Sequence, residues 1–483
     1  MLYSLGESAR PNLLFVCADQ LREQSCGFGG DSRAQTPNLD RLAAEGVRFS
    51  NATSMHPVCA PYRASLLTGC YSSTTGMVIN ELRARTDLPT LPQALNRGGY
   101  ASAFIGKWHL WASEPKGANP SAFHANPANQ FVPPGPNRMG FDDYWAGYNF
   151  NHRYYRAFYY RDGPERIDVD GYEPDVQTDL AIDYLRRAAA RGKPFDLFLS
   201  YSAPHPGWNT DNVPAEWLAR FADVEFPVPA NYEDGSAEYW HRPYDRAWWL
   251  ARIRPNLSEW QRVYCAMVAN IDWNAGRLLA ALDALGLADD TLVVVTSDHG
   301  EMFGSHGRIH KNIFYDEAAR VPLLMRWPGR VAPGSICDVC LNTPDLMPTL
   351  LGLLGVPIPK TVEGMDLSNR ALSRQGSEPV AALLQGMGPS VDWDDGFEWR
   401  AVRDAQYTYA VWRVDGKEEL YDNCADPLQQ QNLAGDPLHA GTRRRLKACL
   451  VKRMEELGDT FETVTWCRDH WTRDGVILRG ARG

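Results

Sequence analysis

Pro57-Val58-Cys59-Ala60-Pro61-Tyr62-Arg63-Ala64-Ser65-Leu66-Leu67-Thr68-Gly69 sets a cysteine at the head of a short helical run. Pro61 suits the first turn of a helix, where a missing N–H costs nothing. Gly69 suits the left-handed stop. Cys59 therefore lies at or beside a helix N-terminus, where free N–H groups and the helix dipole favour negative charge. Arg63, one turn further on, returns to the same place.

Outward from this stretch, four apolar runs without helical period read as buried parallel strands. Asn12 to Ala18 ends in Asp19-Gln20, and Tyr100 to Ile105 leads into Gly106-Lys107-Trp108-His109. Phe195 to Tyr201 is followed by Ser202-Ala203-Pro204-His205, and Thr291 to Thr296 by Ser297-Asp298-His299-Gly300. In open α/β sheets, ligands bind beyond the carboxyl ends of the strands. Four polar clusters at four such ends can converge on one crevice.

The remaining signals complete an α/β fold. Helices are expected from Asn38 to Glu45 with Thr36-Pro37 as its cap, from Leu91 to Asn96, Asp175 to Ala190, Leu257 to Leu285 with Ser258 near its cap, and Asp345 to Gly355. Leu110 to Asp170, rich in Pro, Gly, Asn and Tyr, reads as long loops over the site. After about Gly376, runs at Arg400–Arg403, Tyr407–Val414 and Glu418–Tyr421 alternate like antiparallel strands around an Asp415-Gly416 turn, and Pro437 to Leu457 closes as a helix. The expectation is a large mixed, mostly parallel sheet flanked by helices, followed by a small antiparallel sheet with a helix. Residues 1–375 form the catalytic domain and 376–483 a C-terminal subdomain.

A net charge of −10 excludes a general nucleic-acid surface, so an anion site must be a local cationic pocket. No apolar run spans a bilayer, and Met1 to Pro11 lacks the basic head and apolar stretch of a leader, so the cytoplasm is the default. Ten cysteines in 483 residues are not a disulfide framework. Cys337-x-x-Cys340 has no second pair at metal spacing and reads as two unpaired thiols.

Asp19, Gln20, Asp298 and His299 suit a divalent cation: two carboxylates supply charge, and an amide oxygen and an imidazole complete the shell. Oxygen ligands suit calcium and an imidazole suits transition metals, which leans the choice to calcium with manganese as the alternative. Beside Cys59 such a cation would activate an oxygen nucleophile and offset the charge of the group under attack.

Cys59-x-Pro-x-Arg63 followed by Leu-Thr-Gly resembles the signature of the sulfatase family, within the alkaline phosphatase superfamily, and the likeness runs from Asn12 to Leu433. The resemblance implies that Cys59 is oxidised by a formylglycine-generating enzyme. The formylglycine hydrate would then act as nucleophile, and one divalent metal would be held by Asp19, Gln20, residue 59, Asp298 and His299. It implies that Lys107 and Lys311 contact the sulfate, that His109 helps break down the intermediate, that His205 meets the ester oxygen, and that Arg63 holds the formylglycine hydroxyl. Two positions depart from the common pattern: many sulfatases carry aspartate at Gln20 and asparagine at His299. Gln20 with His299 is closer to the phosphonate monoester hydrolase and choline-sulfatase branches, and Asn80 stands where the phosphonate monoester hydrolase branch has an asparagine contacting the anion. The expected activity is hydrolysis of a small organic sulfate ester, aryl or carbohydrate, with phosphonate monoester or phosphodiester hydrolysis as the alternative. Trp145, Tyr148, His152, Tyr154, Tyr155 and Trp208 are candidates for stacking on a sugar or aryl ring. The edges of the C-terminal sheet leave room for a homo-oligomer.

Overall fold

The computed structural model describes residues 10–114, 120–235, 246–373 and 375–482. Most of the polar N-terminal start, Met1 to Pro11, lies outside these residues. The strands in chain order are β1 (Asn12–Ala18), β2 (Val47–Phe49), β3 (Ala101–Lys107), β4 (Tyr144–Tyr148), β5 (Phe158–Tyr159), β6 (Ile167–Asp168), β7 (Phe195–Tyr201), β8 (Thr291–Ser297), β9 (Leu323–Arg326) and β10 (Ser335–Cys337). Eight of them form one sheet in the order β10-β2-β9-β8-β1-β7-β3-β4, and β5 and β6 make a separate ribbon. β9 alone runs against its neighbours β8 and β2; the other pairs are parallel, so the sheet is mixed and mostly parallel.

β1 is buried along its whole length because both faces are covered. Leu13, Phe15 and Cys17 face one core with the helices Cys59–Thr68, Leu91–Arg97 and Thr343–Leu353, while Leu14, Val16 and Ala18 face another with Glu173–Arg191 and Leu257–Ala284. The alternation is the two-residue period of a strand, and double burial is why the run is continuously apolar.

β1 pairs with β7 and β8 up to Ala18–Tyr201 and Ala18–Ser297, and β3 pairs with β7 up to Gly106–Ser200. The carboxyl ends of β8, β1, β7 and β3 are therefore level and adjacent. Gly106 holds the last step: at φ +105° its hypothetical Cβ would lie 2.0 Å from the Ser200 carbonyl oxygen. Only glycine lets β3 stay paired there while turning Lys107 into the crevice.

A second sheet comprises β11 (Ala382–Gly386), β12 (Trp399–Arg403), β13 (Tyr407–Trp412) and β14 (Glu418–Asp422), all antiparallel in sequence order, and the helix Ala440–Leu457 covers it through Leu446, Leu450 and Leu457. A short ribbon, β15 (Thr472–Arg473) with β16 (Val476–Ile477), ends the described chain.

Three expectations need correction. The stretch Leu110 to Asp170 is not all loop: β4 adds a fifth parallel strand next to β3. Thr36 does not cap the helix Pro37–Glu45; its hydroxyl serves Gly27 and Asp40. The Leu39 N–H goes instead to Asp272 Oδ1 at 2.7 Å, on the helix Leu257–Ala284, where Ser258 makes no side-chain cap. The proposed aromatic platform is largely core, since Trp145, Tyr148, Tyr154 and Trp208 are buried. Trp145 stacks on Phe104, and Trp208 packs against Phe303.

Candidate active site

Cys59 is the first residue of the helix Cys59–Thr68, which is buried throughout and ends at Gly69 with φ +67°. Its first free N–H groups are partly met from outside: Ala60 N–H donates to Asn80 Oδ1 at 2.9 Å. Asn80 thus works as a cap supplied from another segment, which leaves its Nδ2 as the amide atom able to meet an anion.

Around the Cys59 sulfur stand Lys311 Nζ at 2.9 Å, His299 Nε2 at 3.3 Å, Asp19 Oδ1 at 3.7 Å and Lys107 Nζ at 3.8 Å. The ligand atoms of Asp19, Cys59, Asp298 and His299 all lie within 4.8 Å of one another, and all four residues are buried. That spread lets one dication sit at ordinary bond lengths from the group. His299 gives its Nδ1 to the Gly300 carbonyl at 3.0 Å, which fixes the tautomer and leaves Nε2 bare as a ligand.

Gln20 is oriented by a residue the sequence reading did not single out. Its Nε2 donates to Glu301 Oε2, while its Oε1 accepts from Lys311 Nζ at 3.2 Å, so the amide oxygen faces the site. Glu301 is itself held by the N–H groups of Phe303 and His310 at 3.0 and 2.7 Å. Gln20 takes φ +68°, a left-handed conformation that a side chain tolerates only when its surroundings insist.

Arg63 bridges the two carboxylates, 3.1 Å from Asp19 Oδ2 and 3.3 Å from Asp298 Oδ2, and its other nitrogen donates to the Lys107 carbonyl and Ser200 Oγ at 2.7 Å each. Lys107 Nζ adds a 2.6 Å bond to Asp19. Burial alone would raise the Asp19 carboxyl, but Lys107, Lys311 and Arg63 hold it well below the usual range. Burial, with Asp19 beside it, pushes Asp298 up against the pull of the same cations. Two carboxylates forced together in this way fit a site built for a cation. Three cationic side chains around them leave surplus positive charge for an anion in an otherwise acidic protein.

His205 Nε2 is 3.0 Å from Lys311 Nζ, and its ring packs on His152 at 3.9 Å between centroids. Burial, then His152 and Lys311, hold it neutral by pushing its pKa well down. His109 does not bond to Cys59; its Nε2 meets Glu81 Oε1 at 3.5 Å. Phe150 and His152 follow β4, the strand missed in the sequence. Phe150 lies beneath Lys107 Nζ at 4.7 Å and next to the rings of His109, His124, His152 and His205. Asp19, Gln20, Cys59, Arg63, Lys107, His205, Asp298, His299 and Lys311 thus come together. Asn80 caps the helix beside them, and His109 stands across Phe150. Cys337 and Cys340 are buried free thiols outside the cluster.

A mostly parallel sheet whose strand ends gather two carboxylates, two imidazoles, two lysines and an arginine at a helix N-terminus defines an alkaline phosphatase-like hydrolase of tetrahedral oxyanions. The family model for sulfatases matches residues 11–356, and that for the C-terminal region of N-sulphoglucosamine sulphohydrolase matches 304–456. An ulvan-active sulfatase of Formosa agariphila is 35% identical over 97% of this chain and 84% of its own. An N-acetylglucosamine-6-O-sulfatase of Bacteroides thetaiotaomicron is 28% identical over 99% and 90%. The crystal structure of a sulfatase, yidJ, from Bacteroides fragilis superimposes with a TM-score of 0.82 at 28% identity, covering 95% of this chain and 99% of that one. The chain belongs to the sulfatase family, and it is a sulfuric ester hydrolase. Among the described residues no helix is long and apolar enough to cross a membrane.

Proposed function

We propose that this enzyme hydrolyses the sulfate ester of a small carbohydrate or aryl alcohol, using formylglycine made from Cys59 by a formylglycine-generating enzyme. One divalent cation would be held by Asp19, Gln20, residue 59, Asp298 and His299. The observation that carries this is the approach of Lys311, His299, Asp19 and Lys107 to a single sulfur atom at the helix N-terminus.

The cation supplies Lewis acidity toward a hydroxyl on residue 59 and toward the bound anion. Formylglycine, as its hydrate, supplies two hydroxyls on one carbon, one to attack and one to restore the aldehyde. The chain's own groups do the rest. Lys107 and Lys311 bind the terminal oxygens of the sulfate and offset charge as the bond to the leaving oxygen breaks. The departing alcohol oxygen takes its proton at the His205–Lys311 pair, whose side chains are bonded to each other. Arg63 keeps the two carboxylates together. Phe150 and His205 wall the crevice and exclude water from the lysines.

Calcium remains favoured by the oxygen ligands, with manganese admitted by His299. Ten cysteines, none in a disulfide, fit a cytoplasmic setting. We keep the domain division at residues 375/376, supported by the start of the second sheet at Ala382.

Mass spectrometry of the Cys59 peptide, from protein made alongside its maturation enzyme, is expected to show sulfur lost and an aldehyde gained. A wholly unmodified cysteine would refute the formylglycine route. Rate constants on matched aryl sulfate, phosphodiester and phosphonate esters are expected to favour the sulfate. A preference for either phosphorus ester would assign the enzyme to the alternative that Gln20 and His299 suggest.

A further inference from the structure

Glu81 lies just beyond Asn80, is buried, and serves two histidines with one oxygen. Its Oε1 is 3.5 Å from His109 Nε2 and 3.3 Å from His124 Nε2. The distances are long, as catalytic contacts often are before substrate tightens them. A carboxylate only accepts, so a neutral ring that turns Nε2 to it carries its proton there. Each Nδ1 is then a bare lone pair. Glu81 Oε2, His109 Nδ1 and His124 Nδ1 are all buried, and none has a hydrogen-bond partner among the described residues. Three acceptors without a partner among the described residues suit donors such as hydroxyls and reject a second anion.

Two further observations place this cluster in the reaction space. Phe150, whose ring lies under Lys107 Nζ, also lies 4.7 Å from the His109 ring and 4.2 Å from that of His124. Glu81 and His109 both take left-handed backbone conformations, at φ +67° and +58°. Each is strained for a residue with a side chain, and two on the partners of one contact mark a geometry that the fold enforces. Burial, with Lys107 second, pushes His109 down to about 3, so the ring stays neutral where enzymes work.

We propose that Glu81 is a positioning residue for the sulfatase reaction, which holds the His109 and His124 rings against Phe150 as Nε2–H tautomers and thereby leaves their Nδ1 atoms as acceptors. The inference rests on the proposed function for its kinetic consequence only.

The primary test needs no turnover. Protein labelled with 15N in the histidine rings is examined by long-range 15N–1H correlation, with His109 and His124 assigned through H109N and H124Q. Wild type is expected to show both as Nε2–H tautomers. Because the E81Q amide oxygen can still accept from Nε2, the deciding variant is E81L, which offers no acceptor; there His109 is expected to shift toward the Nδ1–H tautomer. An Nδ1–H tautomer at His109 in wild type, or an unchanged tautomer in E81L, overturns the proposal. The wild-type spectrum decides even where a variant fails to fold. In turnover of an aryl sulfate, E81Q is expected to lose about 10²-fold in kcat, the scale of general acid–base assistance. Its KM should stay within about threefold, and E81D should restore part of the loss. A kcat within threefold of wild type overturns it as well. Failure of the formylglycine reading would appear as an unmodified Cys59 in active wild type and would leave the tautomers as they are.

Discussion

Replacing Glu301 with glutamine tests whether the Gln20 oxygen is a metal ligand. Glu301 accepts from Phe303 N–H and His310 N–H through Oε1 and from Gln20 Nε2 through Oε2. In E301Q the amide oxygen can keep both backbone donors, so the loop from Gly300 to Lys311 retains its bonds. The new NH2 then faces the Gln20 NH2, donor against donor. Gln20 can relieve this only by turning its amide over. Its oxygen moves to the new NH2, and its own NH2 moves toward Lys311, which stood 3.2 Å from the oxygen. The cation site loses one oxygen and gains a donor beside an ammonium. Disturbing a group that orients a ligand costs about 10- to 100-fold in metal affinity, or ~1.4–2.8 kcal/mol. Calorimetric titration of the metal-depleted protein with Ca2+ and with Mn2+ reads this directly. The loss should be larger for Ca2+, which relies more on oxygen ligands. Affinities for both ions within twofold of wild type, in a variant that stays folded, would refute the assignment of Gln20 to the metal.

Two other outcomes follow from the same coordinates. Lys311→Met keeps the aliphatic stem and removes the ammonium that touches Cys59, Gln20 and His205; kcat on a sulfate ester is expected to fall about 10²–10³-fold, and steady-state rates near wild type would remove Lys311 from the chemistry. Asp272 is buried under the helix Pro37–Glu45, and burial pushes its carboxyl up to about 6. A raised carboxyl contributes stability that is present below about pH 4 and lost as pH rises through 6, worth at most ~3 kcal/mol. Asp272→Asn keeps an acceptor for Leu39, so its melting temperature should gain on wild type between pH 4 and 7; a difference that is flat with pH would show that the carboxyl titrates normally.

The catalytic side of the fold was legible because four strands are buried on both faces. Their unbroken apolar runs announce where each strand stops, and the next residue is by construction at the crevice. Asp19, Lys107, His205 and Asp298 could be found in this way without any relative to compare. β4 escaped because Tyr144–Tyr148 sits in a Pro- and Gly-rich stretch and contains a glycine, so neither period nor composition marks it. With it went Phe150, while His152 was marked only as a stacking candidate and not as the partner of His205. Glu81 and Glu301 escaped for another reason: each acts through a histidine or an amide rather than on a ligand, and nothing local distinguishes such a carboxylate from a solvated one. The Thr36 cap failed on the same ground. A threonine before proline is a sound local signal, but Asp272, 233 positions away, reaches the Leu39 N–H instead. Local chemistry names the candidates, and tertiary contacts choose among them.

Charge cannot explain why such a site would take a sulfate ester over a phosphodiester, since both are tetrahedral monoanions. The number of terminal oxygens can. A sulfate monoester presents three, enough for Lys107, Lys311 and a cation to take one each. A phosphodiester presents two, and its second ester arm must occupy the third direction. Lys107 is fully buried, and Lys311 Nζ already stands 2.9 Å from residue 59. An arm placed there would leave one N–H of an ammonium unpaired while Asp19, Gln20 and His205 keep the others bonded, at about 1–3 kcal/mol. Specificity of this kind arises from what the wrong substrate leaves unpaired. The carboxylate of Asp19 and the amide of Gln20 do not alter that count, because Gln20 is committed to Glu301 on one side and Lys311 on the other. On the proposed assignment, the departures at Gln20 and His299 would alter the surroundings of the cation, while the two lysines that would count oxygens stay as the sulfatase resemblance implies.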